Sequence, residues 1–142
     1  MSVEELVEQI KAKKAFLRGI TVSGGECMNH AAFLLDLFKK VKKLGLTCLI
    51  DSNGYYDFSQ YPQLMAVCDG VMLDVKAVDA KFHQYLTGCD NTMVLKNLAY
   101  LLHTQKLEEV RTVILPNQDE QNEKTVRYVT ELLKQQSRYK LI

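Results

Sequence analysis

Gly19-Ile20-Thr21-Val22-Ser23-Gly24-Gly25-Glu26 decides how this chain is read. A short apolar strand runs straight into two glycines and a carboxylate. Without Cβ atoms in the turn, the backbone N–H and C=O groups lie open to a ligand at close range. Glu26 sets an acceptor beside that bare backbone. The pair suits an ammonium group, whose three N–H donors need several acceptors. Gly-Gly-Glu alone fits a tight strand-to-helix turn with a solvated Glu better. The ends of the other strands tip the balance.

Upstream, Ser2-Val3-Glu4-Glu5 has the spacing of a capping box. It opens a helix with Val3, Leu6, Val7 and Ile10 on one face and lysines toward its end. Downstream, Phe33, Leu34, Leu37, Phe38, Val41 and Leu44 keep a 3.6-residue period over 30–44, and Gly45 closes that helix. Leu46-Thr47-Cys48-Leu49-Ile50 is a near-continuous apolar run, which predicts a strand buried on both faces and ending at Asp51-Ser52-Asn53-Gly54. Pro62 opens a short helix to about Val67. A third strand, Val71-Met72-Leu73, ends in Asp74-Val75-Lys76. Asp79 is placed to cap a helix through Leu86 that Gly88 stops, and Asn91 to cap the next. Val110 to Leu115 reads as a fourth strand broken by Pro116-Asn117. Asn122 caps a last helix, and Tyr139 to Ile142 begins another strand.

Helices and strands in alternation predict an α/β fold with a parallel sheet of strand–helix units, either an open sheet or part of a barrel. In both, ligands bind at the C-terminal ends of the strands. Those ends carry Ser23-Gly24-Gly25-Glu26, Asp51-Ser52-Asn53-Gly54, Asp74-Val75-Lys76 and Arg111 leading to Pro116-Asn117. A purely structural sheet has no need of Asp51, Asp74, Lys76 and Arg111 at one rim. Their alternating sign is what a zwitterionic ligand requires.

The 142 residues make a single domain, with 47% hydrophobic and 25% charged residues and a net charge of +1. That balance argues against a nucleic-acid surface or a polybasic membrane patch. No apolar run approaches the roughly 20 residues that span a bilayer. The acidic N-terminus lacks a signal-peptide layout, so a cytoplasmic location is the default expectation. The four cysteines, Cys27, Cys48, Cys68 and Cys89, form no Cys-x2-Cys or Cys-x3-Cys pair. They read as buried, reduced thiols and not as a zinc knuckle or a local iron–sulfur loop.

Five stretches, in order, resemble the radical S-adenosylmethionine (SAM) enzymes. The narrower likeness is to the glycyl-radical-enzyme activating enzymes, the group that includes pyruvate formate-lyase activating enzyme. The stretches are Val22 to Glu26, Asp51 to Gly54, Met72 to Lys76, His83-Gln84-Tyr85-Leu86-Thr87-Gly88 and Val110 to Pro116. The resemblance implies a partial (β/α)6 TIM barrel. It implies that Ser23, Gly24, Gly25 and Glu26 receive the methionyl ammonium of SAM, with Asn53 and Gly54 completing the turn. Asp51, Ser52, Met72 (through its backbone carbonyl) and Asp74 correspond to a monovalent-cation site beside the SAM carboxylate. Hard oxygen ligands suit such an ion. Lys76 and Arg111 correspond to residues reaching SAM and its sulfonium, the pair assigned to the chemistry. His83 echoes a position near the protein substrate, although on its own residues it reads as a surface or packing histidine. Asp51 and Asp74 also fit a plain salt-bridge network with Lys76 and Arg111.

The implied activity is SAM cleavage and hydrogen abstraction that leave a glycyl radical on a partner enzyme. The implied partners are that enzyme and an electron donor such as flavodoxin or ferredoxin. The family's [4Fe–4S] cluster sits on a Cys-x3-Cys-x2-Cys loop after the first strand, and this sequence has no cluster-ligating cysteines in that pattern. The chain therefore reads as the centre of the barrel without its cluster strand or closing elements. By itself it is expected to be inactive and to self-associate through an uncovered sheet edge. Two alternatives stand beside this reading: a non-catalytic SAM-binding or partner-interaction module, and a radical SAM enzyme acting on a small molecule.

Overall fold

The computed structural model describes residues 1–134 and 136–142. Helix α1 (Val3–Lys13) starts as its capping box predicts: Glu5 N–H donates to Ser2 Oγ at 3.2 Å, and Ser2 N–H donates to Glu5 Oε2 at 2.7 Å. Two of the helix's orphan donors are satisfied at once. Strand β1 (Gly19–Val22) follows, then a 3₁₀ turn at Cys27–His30 and helix α2 (Ala31–Lys42). Helix α2 buries Leu34, Leu37, Phe38 and Val41, the stripe its period predicts. Gly45, at φ 76°, turns the chain into strand β2 (Thr47–Ser52).

Helix α3 (Pro62–Val67) leads to strand β3 (Gly70–Asp74), helix α4 (Ala80–Thr87) and helix α5 (Thr92–His103). Strand β4 (Leu107–Thr112), helix α6 (Asp119–Leu133) and strand β5 (Arg138–Leu141) complete the order. All five strands are parallel and lie in the order β1-β2-β3-β4-β5. Consecutive order has no switch point, so right-handed crossovers place every helix on one face. Of the two arrangements left open by the sequence, this is the barrel type. One contiguous core joins Val3, Phe38, Ile50, Leu73, Leu98, Val110 and Val129 between that face and the helices.

Several expectations need correction. The strands are not buried on both faces. Cys48, Ile50, Val71, Leu73 and Val110 are buried under the helices, whereas Leu49, Asp51, Met72, Asp74, Glu109 and Arg111 line a half-open inner face. The fourth strand runs Leu107–Thr112, not Val110 to Leu115. Its start is hidden by two glutamates at a β-bulge, where Val71 pairs with Leu107 and Met72 with Glu109. The extra residue, Glu108, packs over Gly70, where a Cβ would stand 3.0 Å from Glu108 Cβ. The apolar Val113 and Ile114 that suggested strand are exposed.

Two caps are also reassigned. Asn91 precedes α5 but makes no side-chain cap; Thr92 N–H donates to Asp90 Oδ1 at 2.8 Å. Asn122 lies inside α6 and clasps Leu115, accepting from its N–H at 3.1 Å and donating to its carbonyl at 2.8 Å. Among the thiols, Cys27, Cys48 and Cys68 are buried as expected, and Cys89 is exposed.

Candidate functional site

At the C-terminal edge of β1, Ser23, Gly24 and Gly25 are exposed. Gly24 (φ 103°) and Gly25 (φ 54°) take left-handed conformations, and no atom lies within 4 Å of where either Cβ would stand. Such a turn favours glycine and leaves its backbone bare. Glu26 then ties this turn to the end of β2. Its Oε1 accepts from Met28 N–H at 3.0 Å and Ser52 Oγ at 2.9 Å, and its Oε2 from Asn53 N–H at 2.8 Å. A carboxylate offers about four lone-pair sites, so one acceptor direction remains. Ser52 is buried, and its hydroxyl faces Glu26 and the N–H of Gly54, the latter at 3.0 Å. Asn53 Oδ1 accepts from Tyr55 N–H at 2.9 Å, an Asx turn that shapes the loop after β2.

The charged side chains converge on the adjacent strand ends. Asp51 pairs in register with Met72, and Met72 with Glu109; Asp74 pairs with Arg111. Residues in register share a face, so all of these side chains point to the half-open inside. Arg111 hydrogen-bonds Asp51 through one terminal nitrogen, and its Nε lies 3.3 Å from Asp74 Oδ1. That second contact is an ion pair only, because Nε has no well-directed hydrogen bond. Lys76 Nζ reaches Asp74 Oδ2 at 3.0 Å. Burial works against the Arg111 charge, but the Asp51 hydrogen bond and the charges of Asp51, Asp74 and Glu109 outweigh it and raise its pKa.

Cys27, directly after Glu26, donates to the Asp51 carbonyl at 3.3 Å. Burial first, then Glu26 and Asp51, push its thiol up to about 11, so it is not a nucleophile near neutral pH. Beside the rim lies a cleft of about 680 Å³, bounded by Asn53, Tyr55 and Lys76 on one side and by His83, Gly88 and Met93 on the other. His83 is buried, its Nδ1 3.0 Å from the Cys89 carbonyl and 3.2 Å from Thr87 Oγ1. It is a packing histidine at the cleft wall.

The structure thus gathers all the sequence-predicted rim residues on the ends of β1 to β4. Sequence reasoning missed Glu109, whose i,i+2 spacing from Arg111 was the available signal. It also missed Asn97, a polar residue on the apolar stripe Val94, Leu98, Leu101.

The sequence model of the radical SAM superfamily matches residues 1–129. This chain belongs to the radical SAM superfamily. It is 33% identical over 123 residues to the pyruvate formate-lyase 1-activating enzyme of Escherichia coli K12, a match spanning 82% of this chain and 50% of that one. It is 30% identical to the (2S)-3-sulfopropanediol dehydratase activating enzyme of Klebsiella oxytoca, spanning 82% of this chain and 38% of the relative. The chain therefore spans about half or less of the length of these curated relatives. Among solved structures, a domain of pyruvate-formate lyase-activating enzyme from Bacteroides vulgatus superposes with a TM-score of 0.69 at 24% identity. That match covers 86% of this chain and 75% of the other, and it supports the radical SAM fold.

Radical SAM enzymes use SAM and a [4Fe–4S] cluster. The described residues do not fit the cluster. Three of the cysteines are buried, and no group of three or more His, Cys, Asp or Glu among the described residues stands close enough to hold a metal. No helix among them is long and apolar enough to cross a membrane.

Proposed function

We propose that this chain is the SAM-binding part of a glycyl-radical-enzyme activase, with the rim of β1 to β4 as the SAM site. One observation carries the reading: bare glycine backbone, Glu26, Asp51, Asp74, Lys76 and Arg111 converge on one strand-end rim. A zwitterionic, cationic amino acid needs both signs of charge and free backbone acceptors in one place, and this rim supplies them. The remaining acceptor of Glu26 and the carbonyls of Ser23 to Gly25 suit the ammonium. Lys76 suits the carboxylate, with Asp51 and Asp74 beside it as ligands for a cation, and Arg111 lies toward the sulfonium. A monovalent cation at Asp51, Ser52, Met72 and Asp74 belongs to the same reading. Because Arg111 already balances both aspartates, such an ion competes with its guanidinium unless Arg111 turns to the ligand.

SAM supplies the radical precursor; the residues of this chain bind and orient it. The relatives are named as activators of other enzymes; in this reading the partner is a glycyl radical enzyme, and the cleft beside Lys76 is the space its segment would enter. The decisive experiment is calorimetry with SAM in buffers containing sodium, potassium or neither. Binding that Glu26→Ala and Asp74→Ala each weaken at least tenfold supports the proposal. Absent binding, or binding indifferent to both substitutions, overturns it. The chain alone is expected to yield no 5′-deoxyadenosine from SAM with a chemical reductant, since the cluster has no ligands here.

A further inference from the structure

Asn97 has no exposed surface, and its side chain makes three hydrogen bonds. Its Nδ2 donates to the carbonyls of Gly54 at 2.8 Å and Tyr56 at 2.7 Å, and its Oδ1 accepts from Phe58 N–H at 3.1 Å. All three bonds go to the backbone of one loop, the one that follows β2. A buried amide whose three bonds all go to one irregular segment fixes that segment's conformation. The loop is tightly seated as well: at Gly54 (φ 76°) a Cβ would stand 2.8 Å from Leu73 Cδ1. From there the bonding is continuous. Gly54 N–H reaches Ser52 Oγ, Ser52 Oγ reaches Glu26, and Asn53 N–H reaches the same carboxylate.

Six residues earlier, at the start of the same helix, Asn91 does the matching work on the loop after β3. It is buried, and its Nδ2 donates to the carbonyls of Ala77 at 3.2 Å and Val78 at 2.8 Å. Those carbonyls follow directly on Lys76. Between the two asparagines, Met93 and Val94 form the back of the cleft.

We propose that Asn91 and Asn97 are positioning residues of the rim site. From one helix they hold the two loops, after β2 and after β3, that carry Asn53, Tyr55 and Lys76 along the rim side of the cleft and, through Gly54 and Ser52, the carboxylate of Glu26. The affinity arm of the test rests on the SAM reading above; the geometric arm does not.

The test compares amide hydrogen exchange and SAM affinity in the 142-residue chain and four variants. Asn97→Ala is expected to speed exchange at Gly54 to Phe58 at least tenfold and to weaken SAM about tenfold, with β2 and β3 core amides unchanged. Asn91→Ala is expected to loosen residues 76–78 while leaving 54–58 as in the parent. Asn97→Asp keeps the acceptor but loses both donors. Protonation of its carboxyl restores one, so its deficit relative to the parent should shrink as pH is lowered from 8 to 5.5. Val129→Ala, a core truncation in α6 that touches neither asparagine's hydrogen bonds, should lower stability without weakening SAM. The proposal fails if Asn97→Ala leaves exchange and affinity within twofold of the parent. It also fails if Val129→Ala weakens SAM as much, or if the Asn97→Asp deficit ignores pH. If the parent chain does not bind SAM, the SAM reading falls and the exchange data alone decide.

Discussion

Arg111 is the side chain on which most of the rim's charge balance turns. It touches Asp51 and Asp74 and feels Glu109, and its side chain is about one-fifth exposed. Removing it leaves Asp51 without its ion pair and Asp74 with Lys76 alone. A fully buried pair loses about 3–5 kcal/mol when one partner is deleted. Solvent access lowers that here to about 1–3 kcal/mol. Urea unfolding of Arg111→Met should show this loss, and adding Asp51→Asn should recover part of it. An unchanged midpoint for Arg111→Met would mean that the pairs are decorative.

Helices α4 and α5 flank the cleft, and both begin on aspartates. Phe82 N–H donates to Asp79 Oδ1 at 2.9 Å, and Thr92 N–H to Asp90 Oδ1 at 2.8 Å. The backbone hydrogen bond is the chief cause that lowers the carboxyl pKa in each case, with Lys124 also acting on Asp79. A depressed folded pKa gives stability that is present above the ordinary value and lost as pH falls through the lowered one. The Phe82 and Thr92 amide resonances should therefore hold steady down to about pH 4 and shift together with the carboxyls below it. Much at this scale was legible in the sequence, and the misses are instructive. Ser2/Glu5, Pro62, Asp79 and Gly88 act through local chemistry, so their motifs read correctly. Asn91 and Asn122 have the right residue type for caps but find loop backbone instead, a tertiary choice no local pattern encodes. Arg111 and the aspartates are legible because strand ends in a parallel sheet must meet. Asn97 is not, because its partners lie about forty residues away in a loop.

The whole molecule carries three thiols in its interior. Burial is the first cause in each, raising Cys27 and Cys68 from 9.0 to about 11 and Cys48 to about 12. The unfolded chain releases these protons first, so stability is intact below pH 9 and falls as pH rises through the folded values. Each proton contributes roughly 1.4 kcal/mol per pH unit over that window. Denaturant midpoints should be flat from pH 7 to 8.5 and decline steeply above 9. Replacing Cys48 with alanine should shallow the decline, and an equally steep fall in that variant would assign it to other groups.

The bulge at Glu108 sets the phase of the whole rim. Leu107 and Val110 both face the helices although three positions separate them, an odd interval that a period of two forbids. Had the alternation run unbroken from Leu107, Arg111 would point into the core and Val110 into the open interior. One surplus residue acts as a half-turn of the ribbon. Deleting Glu108 should therefore leave the guanidinium facing inward in a regular ladder, whereas inserting a further residue beside it makes the interval even again, keeps the guanidinium inward, but slides the upper strand two places along β3 and takes Arg111 away from Asp51 and Asp74.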